Sequence, residues 1–516
     1  MNDVRSTAAP RPDVPDWVPD AVFYQIFPDR FARSSRLPAI GPFEDWDAPP
    51  TYHGFKGGDL YGIAERLVQL EELGITALYL TPVFASASNH RYHTYDYLAV
   101  DPVLGGDPAL RELLDRAHER GMRVILDGVF NHCGRGFWPF HHVLENGAQS
   151  PYRDWFHLDP AVLEGRRDLN AYPERAIAAA EDGGTSAAVD PSVLGYQAWW
   201  NHPALPKFNT DHPAVREYLL TVAEHWLRLG TDGWRLDVPA EIDDADFWRE
   251  FRRRCRAVNP DAYLVGEIWH VAPDWLAGDR FDALMNYPLG AAILGYAAGE
   301  HLDQAVVDSH QTYSETIRRL DGAVFGSRVE ELMSTYEPAV TGAQLNLIGS
   351  HDAPRALTLM GGNVPAVRLA TLLQLVLPGA PCIYYGDEIG MEGGHDPDNR
   401  RGYPPDPEAG DRELRAFVRA TIAARRENRA LRTGSVRVLA ATDGAVAFLR
   451  EADGERAIVA INAADGAAAL TLDQDSVAEQ WKPLALPGWP TGPDIETDEP
   501  TRLEVPGQTA FVYVAG

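Results

Sequence analysis

The run DGWRLDVPAE (232–241) sets Arg235 two residues before Asp237 in an otherwise apolar stretch. Side chains on a β-strand return to the same face at every second residue, so this spacing predicts a guanidinium beside a carboxylate at a strand end. Three other apolar runs close on groups of the same kind. MRVILDGVFNH (122–132) carries Asp127, Asn131 and His132, AYLVGEIW (262–269) carries Glu267, and AQLNLIGSHD (343–352) ends on His351 and Asp352. Each aspartate alone reads more readily as a helix cap or half of a buried ion pair, and Asp127 fits a structural part. Several carboxylates at one rim are harder to explain by stability, because clustered negative charges repel one another and hold protons above their usual pKa. Carboxylates with separated pKa values are what acid–base and nucleophilic chemistry requires.

The elements that would position these groups form a longer alternation. AVFYQIF (21–27), ITALYLTPVF (75–84), FDALMNYPL (281–289) and APCIYYGDE (380–388) bring the apolar runs to eight, separated by helical patterns. That order predicts an α/β fold, a (β/α)8 barrel with its chemistry at the C-terminal ends of the strands. DPALRELLDRAHERG (107–121) has the form of a helix with Asp107 as N-cap, Pro108 at the first position and Gly121 as stop. Residues 211–229 place Leu219, Val222, Trp226 and Leu229 on one helical stripe. The span exceeds the ~250 residues of a minimal barrel, and the excess falls after the third run. The expected organisation is a disordered leader over 1–17, a barrel over 18–132 and 209–430, an inserted domain over 133–208, and a C-terminal antiparallel β-sandwich over 431–516.

Composition narrows the function. With 45% apolar and 23% charged residues the chain is an ordinary globular protein. Its formal charge of −29 argues against nucleic acid or an anionic membrane as partner and suits a neutral substrate. Cys133, Cys255 and Cys382 are widely spaced and odd in number, which gives neither a disulfide framework nor a zinc pattern. The first twenty residues are polar and Pro-rich without the apolar core of a signal peptide, so the expected location is cytoplasmic. Nothing in the sequence sets an oligomeric state.

DGVFNH, GWRLDVPAE, EIWH and SHD, in this order and spacing, resemble the four signatures of the α-amylase superfamily of retaining α-glucoside hydrolases, over residues 21 to about 425. LPKFN (205–209) and YYGDEIGMEGGHDPDNRR (384–401) resemble its neopullulanase, cyclomaltodextrinase and maltogenic-amylase branch. The resemblance implies Asp237 as nucleophile, Glu267 as general acid/base and Asp352 as the carboxylate that holds hydroxyls of the reacting sugar. It implies Tyr92 as a ring platform with His90 beside it, sugar contacts from His132 and His351, and a grip on the next sugar from Asp396 and Arg400. Arg235 would keep Asp237 ionised, while the charges of Asp237 and Asp352 would raise Glu267. Tyr92 also fits a core tyrosine, and Asp396–Arg400 a surface ion pair.

Two departures stand out. His93 occupies a position where the branch usually has Asp, a departure that bears on fine specificity. Lys207 stands where calcium-binding members carry Asp, so no cofactor is expected, and calcium is possible but not favoured. The N-terminal β-domain common in the branch is not expected either. The implied activity is double-displacement cleavage of α-1,4 bonds, and by extension α-1,6 bonds, in an oligosaccharide substrate such as a maltodextrin or cyclomaltodextrin. An α-glucosidase or glucosyl-transferring relative would share every catalytic residue. A non-catalytic relative would have lost the carboxylates that this chain retains.

Overall fold

All eight apolar runs form strands in the computed structural model, which describes residues 13–38, 40–173, 189–406, 408–473, 480–495 and 501–515. They are β1 (Phe23–Ile26), β2 (Ala77–Leu80), β3 (Arg123–Gly128), β4 (Gly233–Leu236), β5 (Tyr263–Gly266), β6 (Ala283–Leu284), β7 (Leu345–Asn346) and β8 (Ala380–Tyr384). The strands pair in the order β6-β5-β4-β3-β2-β1-β8-β7. A parallel bridge between Met285 and Leu345 joins the two ends, so the sheet closes into a barrel.

Strand parity sorts the side chains. Tyr24, Leu78, Leu126, Trp234 and Leu264 pack outward in the large core shared with the helices. Phe23, Ala77, Tyr79, Ile125, Tyr263 and Val265 point inward and form the apolar plug of the barrel. Trp234 is fully buried, and a side chain of that size removed from water contributes about 1.5–3 kcal/mol or more. The inward parity continues through Gln25, Asp127, Arg235, Asp237 and Glu267, which therefore sit above the plug at the catalytic end.

The structure corrects two local expectations. Residues 1–12 of the expected leader lie outside the described residues, but Asp13–Trp17 belong to the barrel base. Trp17 packs its ring 5.8 Å from Phe23 and 5.9 Å from Tyr263, and donates its indole N–H to Asp261 O. The helix expected from Asp107 spans Gly106–His118, with Gly105 at its N-cap in a left-handed conformation (φ 103°). Asp107 lies inside the first turn and accepts the Val100 N–H at 2.9 Å, tying the helix to the strand before it. The second expected helix spans Pro213–Leu229 and buries Leu219, Val222 and Trp226.

Between β3 and that helix, the described parts of the insertion gather an aromatic core in which Phe140 lies 4.9 Å from both Phe156 and Tyr196. The bridge His132–Lys207 staples it to the barrel rim, and Phe156–Phe208 closes it on itself; residues 174–188 of the insertion lie outside the described residues. Past the barrel, β9 (Ser435–Ala441), β10 (Ala445–Ala452), β11 (Glu455–Asn462), β12 (Ala468–Leu472), β13 (Trp481–Leu484), β14 (Thr501–Val505) and β15 (Thr509–Ala515) follow. They form a five-stranded antiparallel sheet, β9-β10-β11-β15-β13, and a β12-β14 pair. Ala447, Leu449, Ile458, Leu470, Leu503 and Phe511 fill the space between the two.

Two buried arginines knit this sandwich to the barrel. Arg425 donates to the carbonyls of Leu375, Leu431, Pro19 and Gly379, and Arg450 to those of Ser435, Leu431 and Gly434. Burial pulls Arg425 down to about 9 and lowers Arg450 as well. Hydrogen bonds from charged donors contribute about 1.5–3 kcal/mol each, which offsets that desolvation. Among the described residues no helix is long and apolar enough to cross a membrane.

Candidate active site

β3 and β4 run in parallel register with Asp127 opposite Arg235, and these two make the floor of the site. Asp127 is fully buried and accepts from Tyr79 Oη (2.7 Å), Tyr92 Oη (2.8 Å) and Arg235 Nη1 (2.9 and 3.1 Å). Burial pushes its pKa up to about 6, against the pull of Arg235 and the two tyrosines. Asp127 therefore anchors the guanidinium, the structural part the sequence allowed it.

From that anchor Arg235 reaches both expected catalytic carboxylates. Its Nη1 donates to Asp237 Oδ1 at 3.1 Å, and its Nη2 lies 2.9 Å from Glu267 Oε2. Glu267 Oε2 also accepts the Val238 N–H (3.1 Å), and its Oε1 accepts the Trp269 indole N–H (3.0 Å). Val238 has φ 36° and ψ 50°, a left-handed conformation that a β-branched residue adopts at a cost on the order of 1–2 kcal/mol. Backbone strain at this point aims an amide at a carboxylate, a use of strain common at functional sites.

One positive charge here faces three carboxylates. Burial raises both Asp237 and Glu267, Arg235 opposes the rise in each, and neighbouring carboxylates add to it. Beyond the expected contact with Asp237, the same guanidinium lies against Glu267. Both carboxylates are therefore harder to ionise than a solvated carboxylate.

Beside this pair runs a directed chain of hydrogen bonds. Gln25 Nε2 donates to His351 Nδ1 at 2.7 Å, which leaves the ring proton on Nε2, 2.6 Å from Tyr92 Oη. Tyr92 donates its own hydroxyl proton to Asp127, and its ring stacks on His351 at 5.4 Å and 5°. His351 Nε2 also lies 3.2 Å from Asp352 Oδ2. His351 is fully buried, in contact with Tyr92 and Asp352.

A cavity of about 660 Å³ opens above these groups. His90, Tyr92, His132, Asp237, Glu267, Asp352, Asp396 and Arg400 line it, whereas Arg235 and His351 lie behind its wall. Asp396 and Arg400 pair at 2.9 Å, and Arg400 is too buried for a surface ion pair. Its Nε donates to His351 O (2.8 Å) and its Nη2 stands 3.5 Å from Asp352 Oδ1, so it links the two aspartates. Burial lowers His132 to about 3 and His93 to about 4, and pushes His90 and His351 down too. Neutral rings can both donate to and accept from sugar hydroxyls without adding charge. His132 Nε2 is buried without a hydrogen-bond partner among the described residues.

The wall also contains residues that motif and parity did not single out. Trp199, Trp200 and His202 come from the insertion, Trp269 stands two residues after Glu267, and Ser309–Thr312 come from the connection between β6 and β7. Their only sequence signal is aromatic residues in a polar segment. His93, the departure noted in the sequence, meets His90 edge-on at 4.9 Å.

A cation fits the Asn131 region poorly. Asn131 Oδ1 is buried without a hydrogen-bond partner, which would offer one oxygen ligand. Lys207, which stands where calcium-binding members carry Asp, sends its Nζ to Glu241 O at 2.8 Å and lies 3.5 Å from the Glu241 carboxylate, so it supplies a cation in place of a ligand. Among the described residues no group of three or more His, Cys, Asp or Glu is arranged to hold a metal ion.

Comparison with known proteins shows the family. Residues 25–434 match the family model for the alpha-amylase catalytic domain. A cyclomaltodextrinase of Geobacillus thermopakistaniensis (strain MAS1) is 44% identical over 468 residues, covering 90% of this chain and 72% of that one. Neopullulanase 2 of Thermoactinomyces vulgaris is 41% identical over 454 residues, covering 87% of this chain and 70% of its own. Among solved structures, Ttha1563 from Thermus thermophilus superimposes with a TM-score of 0.85 at 44% identity, over 97% of this chain and 100% of that one.

Proposed function

This chain belongs to the alpha-amylase family, and on that premise we propose that it hydrolyses α-glucosidic bonds of maltodextrins or cyclomaltodextrins with retention of configuration. The observation that carries the reading is the single guanidinium of Arg235 in contact with both Asp237 and Glu267. Retaining hydrolysis needs two carboxyls about 5–5.5 Å apart on opposite sides of one glycosidic bond. A shared cation keeps the pair close and limits their joint charge.

In the reactive state Glu267 carries a proton and Asp237 is ionised. Asp237 attacks C1 of the reacting glucose while Glu267 gives its proton to the glycosidic oxygen, so the C1–O bond breaks and the leaving sugar departs as an alcohol. A glycosyl ester remains on Asp237. Water then gives a proton to the Glu267 carboxylate and attacks C1, which frees Asp237 and restores the starting protonation. Asp352 and His132 accept or donate hydrogen bonds to hydroxyls of the same ring, Tyr92 lies under its apolar face, and Asp396 with Arg400 grips the neighbouring sugar. Oriented in this way, the reacting ring loses little further freedom at the transition state.

The names borne by the matched relatives, cyclomaltodextrinase and neopullulanase, support α-glucans as the substrate class and do not favour a pure α-glucosidase or glucosyl transferase. No metal is given a part in the chemistry, and Lys207 in place of a carboxylate supports that. The described cysteines are free and buried, which suits a reducing compartment, so a cytoplasmic location is part of the proposal. The test is product stereochemistry. NMR during the first turnovers on maltoheptaose or a cyclomaltodextrin should show α-anomers at the new reducing ends before mutarotation. Initial β-anomers would exclude a glycosyl-enzyme on Asp237.

A further inference from the structure

We infer that His310 is a positioning residue for the general acid: its ring holds the Trp269 indole in place, and that indole aims the protonated oxygen of Glu267 at the leaving group. The inference rests on the glucan reading above and adds to its machinery a residue that lies outside every sequence motif.

The two oxygens of Glu267 have unlike surroundings. Oε2 lies 2.9 Å from Arg235 Nη2 and accepts the Val238 N–H at 3.1 Å, so donors already face it and a proton there would be repelled. The proton that goes to the glycosidic oxygen therefore sits on Oε1. Among the described residues the one donor to Oε1 is the Trp269 indole N–H, at 3.0 Å. The place of that indole sets how the acid is aimed, and a general acid works only within hydrogen-bond reach of the atom it protonates.

Close packing does not fix Trp269 on every side. It is half-buried and lines both the catalytic cavity and a second cavity of about 700 Å³. Open space beside a side chain leaves other rotamers within its reach. Stacked rings hold the indole instead. Tyr287 lies against it at 3.5 Å and 8°, and the His310 imidazole at 5.6 Å and 25°.

His310 is itself firmly placed. It is the N-cap of the helix Gln311–Thr316, and its Nδ1 accepts the Tyr313 N–H at 3.2 Å. Burial and the nearby His395 ring lower its pKa, which keeps the ring neutral and Nδ1 able to accept. The ring proton is then on Nε2, and the Asp352 backbone hydrogen-bonds the ring. Tyr313 and His395 bound the imidazole at 4.7 Å and 5.9 Å. A cap alone does not call for histidine, since Ser, Asn and Asp serve at least as well. What the imidazole adds is a flat face turned to Trp269. One side chain thus joins the connection between β6 and β7 to the acid through Trp269 and to the backbone of Asp352.

The experiment separates the ring from the cap. His310→Asn keeps an oxygen for the Tyr313 N–H and removes the ring, whereas His310→Phe keeps a ring and removes the cap. Each is compared with the wild type on para-nitrophenyl and phenyl α-maltosides, which are close in size and differ in how much the leaving oxygen needs a proton. Their kcat/KM reports formation of the glycosyl ester. His310→Asn should lower kcat/KM on the phenyl maltoside about tenfold, part of the roughly 10²–10⁴ that proton donation contributes, and change the nitrophenyl value less than about threefold. His310→Phe should keep the wild-type ratio of the two. An unchanged ratio in His310→Asn overturns the inference, whether both values are kept or both fall together, as they would after a lost sugar contact or a structural collapse. So does a His310→Phe that shifts the ratio as far as His310→Asn. A wild type that leaves both maltosides and maltoheptaose intact would instead sink the glucan reading itself.

Discussion

Arg235 touches three carboxylates with one charge, and that imbalance predicts how two substitutions should differ. Asp237→Asn keeps the shape but leaves an amide that forms no glycosyl ester, so turnover on every substrate should fall below about 1%. Glu267→Gln removes the transferable proton, a contribution of roughly 10²–10⁴ in rate, and should cripple natural glucans. An α-glucosyl fluoride, whose leaving group needs little protonation, should be spared most of that loss. Steady-state rates on both substrates separate the roles. If Asp237→Asn keeps more than about a tenth of wild-type turnover, a barrier change below ~1.4 kcal/mol, it is not the nucleophile. The positions of these residues were legible because strand parity is local: Arg235, Asp237 and Glu267 share the inward face. The place of His351 was not. Its partners Gln25 and Tyr92 are brought to it from β1 and from the loop after β2, and no local pattern announces contacts of that range.

The barrel strands could be read as elements because apolar runs of buried parallel strands are strong signals. Errors fell where the tertiary structure decided an end. Gly105 opens the helix expected from Asp107 two residues earlier, and Trp17 turns part of an apparent leader into the barrel's base plate. The staple between the insertion and the barrel has a consequence for metals. In LPKFN, Lys207 pairs along the backbone with His132 and sends its ammonium to Glu241 O. The unpartnered Asn131 Oδ1 offers one oxygen, and among the described residues no group of three or more His, Cys, Asp or Glu joins it, far short of the ~6–8 oxygens that calcium takes. Prolonged treatment with EDTA should therefore shift Tm by less than about 2 °C and leave activity intact. A ligand at a hundred times its Kd stabilises by about 2.7 kcal/mol, which for a chain of this size corresponds to several degrees. A drop of that size, reversed by calcium, would show a site assembled around Asn131 in spite of Lys207.

The molecule as a whole carries a formal charge of −29, yet its cavity is lined by neutral histidines, indoles and a few tightly paired ions. Long-range electrostatics can do little to attract an uncharged glucan, so selectivity must come from shape and short-range contacts. Three separate parts of the chain close around the barrel mouth. The insertion supplies Trp199 and Trp200, the connection after β6 supplies Ser309–Thr312, and the loop after β8 supplies Asp396 and Arg400. A space of about 660 Å³ falls in the range of pockets that enclose small ligands, too small to hold more than a few sugars at once. Binding energy from those few rings can be used to orient the reacting bond, and further units of a polymer add nothing to it. Maltotriose to maltoheptaose or cyclomaltodextrins should accordingly show higher kcat/KM than soluble starch, compared per accessible chain. Initial rates measured side by side decide the matter. Faster internal cleavage of starch would mean that the three walls part to admit a polymer and that the mouth is an open cleft.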